Sequence, residues 1–125
     1  MEKRTRVSAV LESGKELNAE LTWLQDGLHV LYVGGKTHVG AISHAEGGTI
    51  WSYQAAGHKE QIISDSWAKK LSEYWNCPVT VCCGIHFDGI SGEEIKEIVN
   101  RSEQLLQTLC TGREWKRKEE NNAAV

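Results

Sequence analysis

Between residues 17 and 23, Leu17, Ala19, Leu21 and Trp23 alternate with Asn18, Glu20 and Thr22. A period of two puts the four apolar side chains on one side of an extended chain and predicts a strand with one buried face. Val7, Ala9 and Leu11 repeat the pattern less regularly. The run Leu28-His29-Val30-Leu31-Tyr32-Val33 is apolar on both sides, which predicts a central strand or a strand with one face against a second copy of the chain. Short connections separate these runs: Ser13-Gly14-Lys15, Asp26-Gly27, Gly34-Gly35 and Gly47-Gly48. Asp-Gly between alternating runs is a hairpin signal, because glycine tolerates the positive φ of tight turns. Parallel neighbours need long crossovers. The five strands of residues 5–54 are therefore expected to form an antiparallel meander.

Beyond residue 58 the period changes. Ile63, Trp67, Leu71 and Tyr74 recur at helical spacing over 59–75, with Lys69, Lys70 and Glu73 between them, as on a helix with one apolar face. Asn76 and Pro78 are expected to end it. The β-branched run from Val79 to His86 predicts a sixth strand. Ser91, with Glu94 three positions on, forms a capping-box signature ahead of the stripe Ile95, Ile98, Val99, Leu105, Leu106 and Leu109. The predicted fold is α+β: an antiparallel meander sheet of about six strands with two helices on one face. Residues 1–112 are expected to make a single domain. Residues 113–125, which include Arg113-Glu114-Trp115-Lys116-Arg117-Lys118, lose the pattern and are expected to form a mobile charged tail.

Composition narrows the function class. The 125 residues suit one domain, and 40% apolar with 25% charged residues suits a packed globule. A net charge of -3 and a pI near 5.9 are not the footprint of a general nucleic-acid binder. No run approaches the roughly 20 apolar residues of a membrane span. The charged start Met1-Glu2-Lys3-Arg4-Thr5-Arg6 leads straight into a strand pattern without a signal peptide, so a cytoplasmic location is expected. Cys77, Cys82, Cys83 and Cys110 show no CxxC pair and no histidine at zinc-finger spacing, which predicts reduced, buried or half-buried thiols.

Three glycine-histidine clusters carry the candidate chemistry: Gly34-Gly35-Lys36-Thr37-His38-Val39-Gly40, Gly57-His58-Lys59, and Gly84-Ile85-His86-Phe87-Asp88-Gly89. The second stands just ahead of the first helix, where unsatisfied N–H groups and the helix dipole favour an anion, so Gly57, His58 and Lys59 are a candidate phosphate seat. The alternative is a plain β-to-α turn with exposed polar side chains. In the third cluster His86 and Asp88 point the same way in extended chain. They read as an acid–base pair, as half a metal site, or as a local hydrogen bond that anchors a turn. Trp51 and Tyr53 share strand parity and offer either core packing or a flat platform for a ring system. The chain contains no GxSxG, HExxH, GxxxxGK[ST] or GxGxxG. That absence favours a binding protein over an enzyme.

Gly34-Gly35 followed by His38-Val39-Gly40-Ala41, then Gly57-His58-Lys59, then Gly84-Ile85-His86 with Asp88 resembles the prenylated-flavin chaperone (LpdD-like) family over roughly residues 5–110. The resemblance implies a cytosolic homodimer with a fold similar to the proteasome assembly chaperones. It implies a non-enzymatic protein that binds reduced prenylated FMN, made by a flavin prenyltransferase, and assists its delivery to a UbiD-type gallate or aromatic-acid decarboxylase. On that reading Gly57, His58 and Lys59 meet the phosphate, His38 and His86 with Asp88 meet the polar chain, and Trp51 and Tyr53 carry the ring. Two other readings stand beside it: a structural subunit of the decarboxylase complex, and a metal-dependent enzyme using His38, His86 and Asp88.

Overall fold

The computed structural model describes residues 3–57 and 59–111. His58 and the proposed 113–125 tail lie outside the described residues. The chain runs β1 (Lys3–Val10), β2 (Glu16–Trp23), β3 (Leu28–Gly35), β4 (Ala41–Glu46), β5 (Thr49–Gln54), α1 (Gln61–Trp75), β6 (Val79–His86) and α2 (Gly92–Thr111).

Six strands form one sheet in the order β1-β2-β3-β6-β4-β5. The element order and the α+β class match the sequence reading, but the meander does not. β1, β2 and β3 pair antiparallel in sequence order, and β4 pairs antiparallel with β5. Between them lies β6, parallel to β3 and antiparallel to β4. The sheet is therefore mixed. The physical reason lies in two connections. Residues 36–40 are a loop rather than a two-residue turn, so β4 need not lie beside β3. α1 is a crossover long enough to bring β6 in parallel to β3. The sequence of β6 fits a central place, with Val79, Val81 and Cys83 fully buried and Thr80 and Cys82 half-buried.

One face of the sheet holds the core. Leu17, Ala19, Leu21 and Trp23 of β2 meet Leu28, Val30 and Tyr32 of β3 and Val79, Val81 and Cys83 of β6. Trp67, Ala68 and Leu71 of α1 and Ile98, Leu105, Leu106 and Leu109 of α2 close over them. Tyr32 stacks on Trp67 with centroids 4.2 Å apart, and its hydroxyl meets Ser102 Oγ at 2.6 Å. Burial pushes the Tyr32 phenol up, so it stays a neutral hydrogen-bonding group. The helix signals hold. Asn76 caps α1 in the left-handed region at φ 52°, and its N–H donates to Ser72. Ser91 and Glu94 exchange the reciprocal bonds of the capping box, with Glu94 N–H to Ser91 Oγ at 3.1 Å.

Both helices are accounted for on that one face. On the opposite face, strand register aligns Glu20, Leu31, Cys82, Ile42 and Tyr53 in one row across five strands. Thr22, His29, Thr80, His44 and Trp51 form the next row. Trp51 and Tyr53 are each 56% exposed, so this face carries exposed aromatic rings beside Ile42 at one edge, with polar residues such as Glu20, Thr22 and His29 toward the other.

Candidate functional site

β3 and β6 are parallel neighbours, so their C-terminal ends lie together. From that point the chain leaves β3 toward β4 and leaves β6 toward α2. In α/β proteins ligands are often held where connections leave the ends of adjacent parallel strands, and the same place in this sheet is the candidate crevice. Two of the three glycine-histidine clusters meet here.

The loop 36–40 is laid directly on β6. A Cβ on Gly84 would stand 1.6 Å from the His38 carbonyl oxygen, so only glycine lets the loop come this close. The Lys36 N–H donates to the His86 carbonyl at 2.9 Å, and the Gly40 N–H donates to the Cys83 carbonyl at 3.0 Å. These contacts bring the His38 and His86 rings to 6.3 Å, edge to face.

His86 Nε2 lies 2.8 Å from Asp88 Oδ1, and Lys36 Nζ lies 3.2 Å from Asp88 Oδ2. The parity argument therefore holds: the carboxylate orients the ring. His86 is half-exposed, and with Nε2 turned to Asp88 its Nδ1 is the ring atom left to meet a ligand. The hydrogen bond from His86 and then the Lys36 ammonium hold the Asp88 carboxyl below the usual aspartate range. Because the shift is downward, the links to Asp88 are complete above the ordinary aspartate value and fail only as pH falls through the lower one. A carbon-detected NMR titration is expected to place the Asp88 midpoint below the roughly 3.9 of a free aspartate. A midpoint at or above it would mean that the His86 and Lys36 contacts do not form in solution.

Sequence reasoning missed Glu60. It sits at the N-cap of α1, 8% exposed, with Oε2 2.8 Å from His38 Nε2. Its carboxylate also accepts the N–H groups of Lys59 at 3.1 Å and Ile85 at 3.2 Å. Gly40 makes room for it, since a Cβ there would lie 2.4 Å from Glu60 Oε2. The only sequence signal was a glutamate beside a helix start, which reads as an ordinary capping residue.

The remaining candidates fall elsewhere. Gly57 and Lys59 lie in the lead-in to α1, and the Lys59 side chain is exposed. The helix start itself is partly occupied: the Gln61 N–H donates to Gln54 Oε1 at 3.1 Å, and the Glu60 carboxylate sits beside it. Trp51 and Tyr53 stand on the open face of β5, where the ring neighbour of Trp51 is His44 at 5.7 Å. They belong to the platform and not to the crevice. His38 turns to Glu60 while His86 turns to Asp88. Among the described residues no three His, Cys, Asp or Glu side chains are placed to hold a metal ion. None of the four cysteines is in a disulfide, and burial pushes the Cys82, Cys83 and Cys110 thiols up, away from thiolate reactivity. No helix among the described residues is long and apolar enough to cross a membrane.

The fold has solved counterparts. A chain from a chaperone complex for yeast 20S proteasome assembly matches with a TM-score of 0.60 at 14% identity, covering 88% of this chain and 96% of that one. No curated protein matches. The family model for the prenylated flavin chaperone LpdD-like domain matches residues 11–113, which include the whole crevice.

Proposed function

This chain belongs to the LpdD-like prenylated flavin chaperone family, and we propose that it holds reduced prenylated FMN and passes it to an apo UbiD-type decarboxylase. The observation that carries the reading is the family match over a crevice built at the ends of β3 and β6. The site offers what such a cargo needs. His86, oriented by Asp88, supplies an acceptor for the polar part, and His38 lines the same crevice. Gly57, His58 and Lys59 meet the phosphate. Trp51 and Tyr53 give the ring an aromatic platform. From Cys82, in the row of Tyr53, to His86 is four residues along a strand, and β5 is two strands from β6. At about 3.3 Å per residue and about 4.8 Å per strand, the two ends of the site are roughly 16 Å apart, the span of a nucleotide-sized ligand.

In this reading the protein is an accessory carrier in the cytoplasm, not an enzyme. Its partners are the decarboxylase large subunit that receives the cofactor and the flavin prenyltransferase that makes it. The open sheet face supports a homodimer: Leu31, Val33, Cys82 and Ile42 make an apolar centre uncovered by either helix, with Trp51 and Tyr53 at its rim. Ile42→Asp is expected to cost roughly 2 kcal/mol or more at that interface and to weaken self-association at least about thirtyfold. Sedimentation velocity reads the result. An unchanged sedimentation coefficient would move the interface off this face.

The delivery step is tested by reconstitution. Apo-decarboxylase is given limiting reduced prenylated FMN under anaerobic conditions, with and without this protein. Faster or fuller activation with the protein is expected. Equal activation in both arms would contradict delivery, and stable co-purification of the two proteins at a fixed ratio would favour the structural-subunit reading instead.

A further inference from the structure

β5 is an end strand of the sheet, bonded to β4 on one side. Gly47 and Gly48, both at positive φ, make the two-residue turn that joins them. The turn bond sets Glu46 and Thr49 as a hydrogen-bonded pair. The parity then runs along the ladder: Trp51 exchanges bonds with His44 and Tyr53 with Ile42. The Ala55 N–H keeps the pattern by donating to the Gly40 carbonyl at 2.8 Å. The backbone groups of Ile50, Ser52 and Gln54 therefore point outward, away from β4, and among the described residues nothing meets their N–H groups. An unpaired edge is a template for another strand unless it is guarded. The opposite edge is guarded, since β1 carries Lys3, Arg4 and Arg6. β5 reads Thr-Ile-Trp-Ser-Tyr-Gln, without charge or proline, and every one of its residues is exposed.

We propose that β5 pairs with β5 of a second copy, antiparallel about a two-fold axis at Ser52, so that the sheet continues from one copy into the next. The strand is complementary to itself in this register. Ser52 faces its own counterpart, and Ile50 faces the second copy's Gln54. These are hydrogen-bonded pairs, which exchange N–H···O bonds in both directions, so every outward backbone group of the strand is met. An axis at Trp51 would set Gln54 against Gly48 in the turn, and one at Tyr53 would set Ile50 beyond the strand end. With the axis at Ser52, Trp51 falls opposite the second copy's Tyr53 at the non-hydrogen-bonded spacing, where cross-strand side chains lie nearest and aromatic pairs stabilise a sheet. On the helix side, Gln54 Oε1 holds the Gln61 N–H, and Ile62, the next residue of α1 and 78% exposed, stands at the same border. Two β1 edges have no such option, because antiparallel pairing about Thr5 would set Arg4 against Arg6. The contact is distinct from the open face and independent of the cofactor-holding reading.

Residue-resolved hydrogen exchange of the full-length protein, followed by NMR, tests the pairing. The Trp51 and Tyr53 amides are bonded to β4 and report that the strand is folded. The Ile50, Ser52 and Gln54 amides are expected to exchange within about tenfold of their rates. Free exchange of these outward amides beside protected Trp51 and Tyr53 overturns the proposal. Rapid exchange along the whole strand overturns it as well, since a strand held from both sides does not fray. Ser52→Pro removes the N–H at the axis and no bond to β4. It is expected to release Ile50 and Gln54 and to lower the sedimentation coefficient. Ser52→Ala keeps that N–H and loses only the hydroxyl that donates to Asp65, and it is expected to behave as the wild type. Protection that survives Ser52→Pro, or that is lost in both variants alike, overturns the pairing. Loss of protection with an unchanged sedimentation coefficient overturns the second copy as the occupant. If Ser52→Pro fails to fold, the wild-type rates decide alone.

Discussion

Gly84→Ala is expected to dismantle the crevice while leaving most of the hydrophobic core in place. The added methyl would stand 1.6 Å from the His38 carbonyl oxygen and 2.6 Å from its carbon. These are backbone atoms, so no side-chain rotation relieves the clash. The loop 36–40 has to lift from β6, which breaks the bonds from Lys36 to His86 and from Gly40 to Cys83 and draws His38 away from Glu60. Overpacking of this kind costs about 1–3 kcal/mol, and here the freed Glu60 carboxylate adds to it. Urea denaturation is expected to show a lower midpoint with an unchanged slope, and flavin binding is expected to fall well beyond the loss of stability. Gly92→Ala, at the first residue of α2 with open space around the added methyl, is the matched control. It is expected to leave both quantities unchanged or to raise stability by up to about 1 kcal/mol. Equal behaviour of the two variants would mean that the loop does not rest on β6.

Trp67→Ala tests the other half of the molecule. Trp67 is 1% exposed and stacks on Tyr32, so it ties α1 to the centre of the sheet. Removing a buried aromatic of this size costs about 3–5 kcal/mol, which in a domain of this length lowers Tm by roughly 10–20 °C. Trp67→Phe separates packing from hydrogen bonding. The indole Nε1 is buried without a hydrogen-bond partner among the described residues, so the phenyl ring surrenders no bond. Its cost is expected to stay below about 1.5 kcal/mol. A thermal melt followed by circular dichroism measures both. A Phe variant as unstable as the Ala variant would mean that the indole nitrogen is bonded after all.

The periodic parts of this fold were legible because burial on one face imposes a period on the sequence. The alternation in β2, Trp67 and Leu71 of the α1 stripe, the Asn76 cap and the Ser91–Glu94 box appear where the spacing puts them, whereas Tyr74 at the end of that stripe is 54% exposed. Strand order was not legible in the same way. Tight turns report only which neighbours can pair, and β6 enters the sheet through a pairing between residues just over fifty positions apart, such as Val30 with Val81. His86 and Asp88 could be paired from sequence because they are two residues apart. Glu60 could not be assigned to His38, since twenty-two positions separate them and only the loop laid over Gly84 and the α1 crossover bring them together. Trp51 and Tyr53 share a face as their parity required, but parity says nothing of which face it is. The helices cover the opposite one.

The chaperone role predicts one binding event above all. The purified protein is titrated anaerobically with reduced prenylated FMN, alongside reduced and oxidised FMN, and binding is followed by flavin absorbance and by retention on gel filtration. Selective, stoichiometric retention of the reduced prenylated form is the predicted result. Failure to retain it under conditions where the protein is folded would contradict the account.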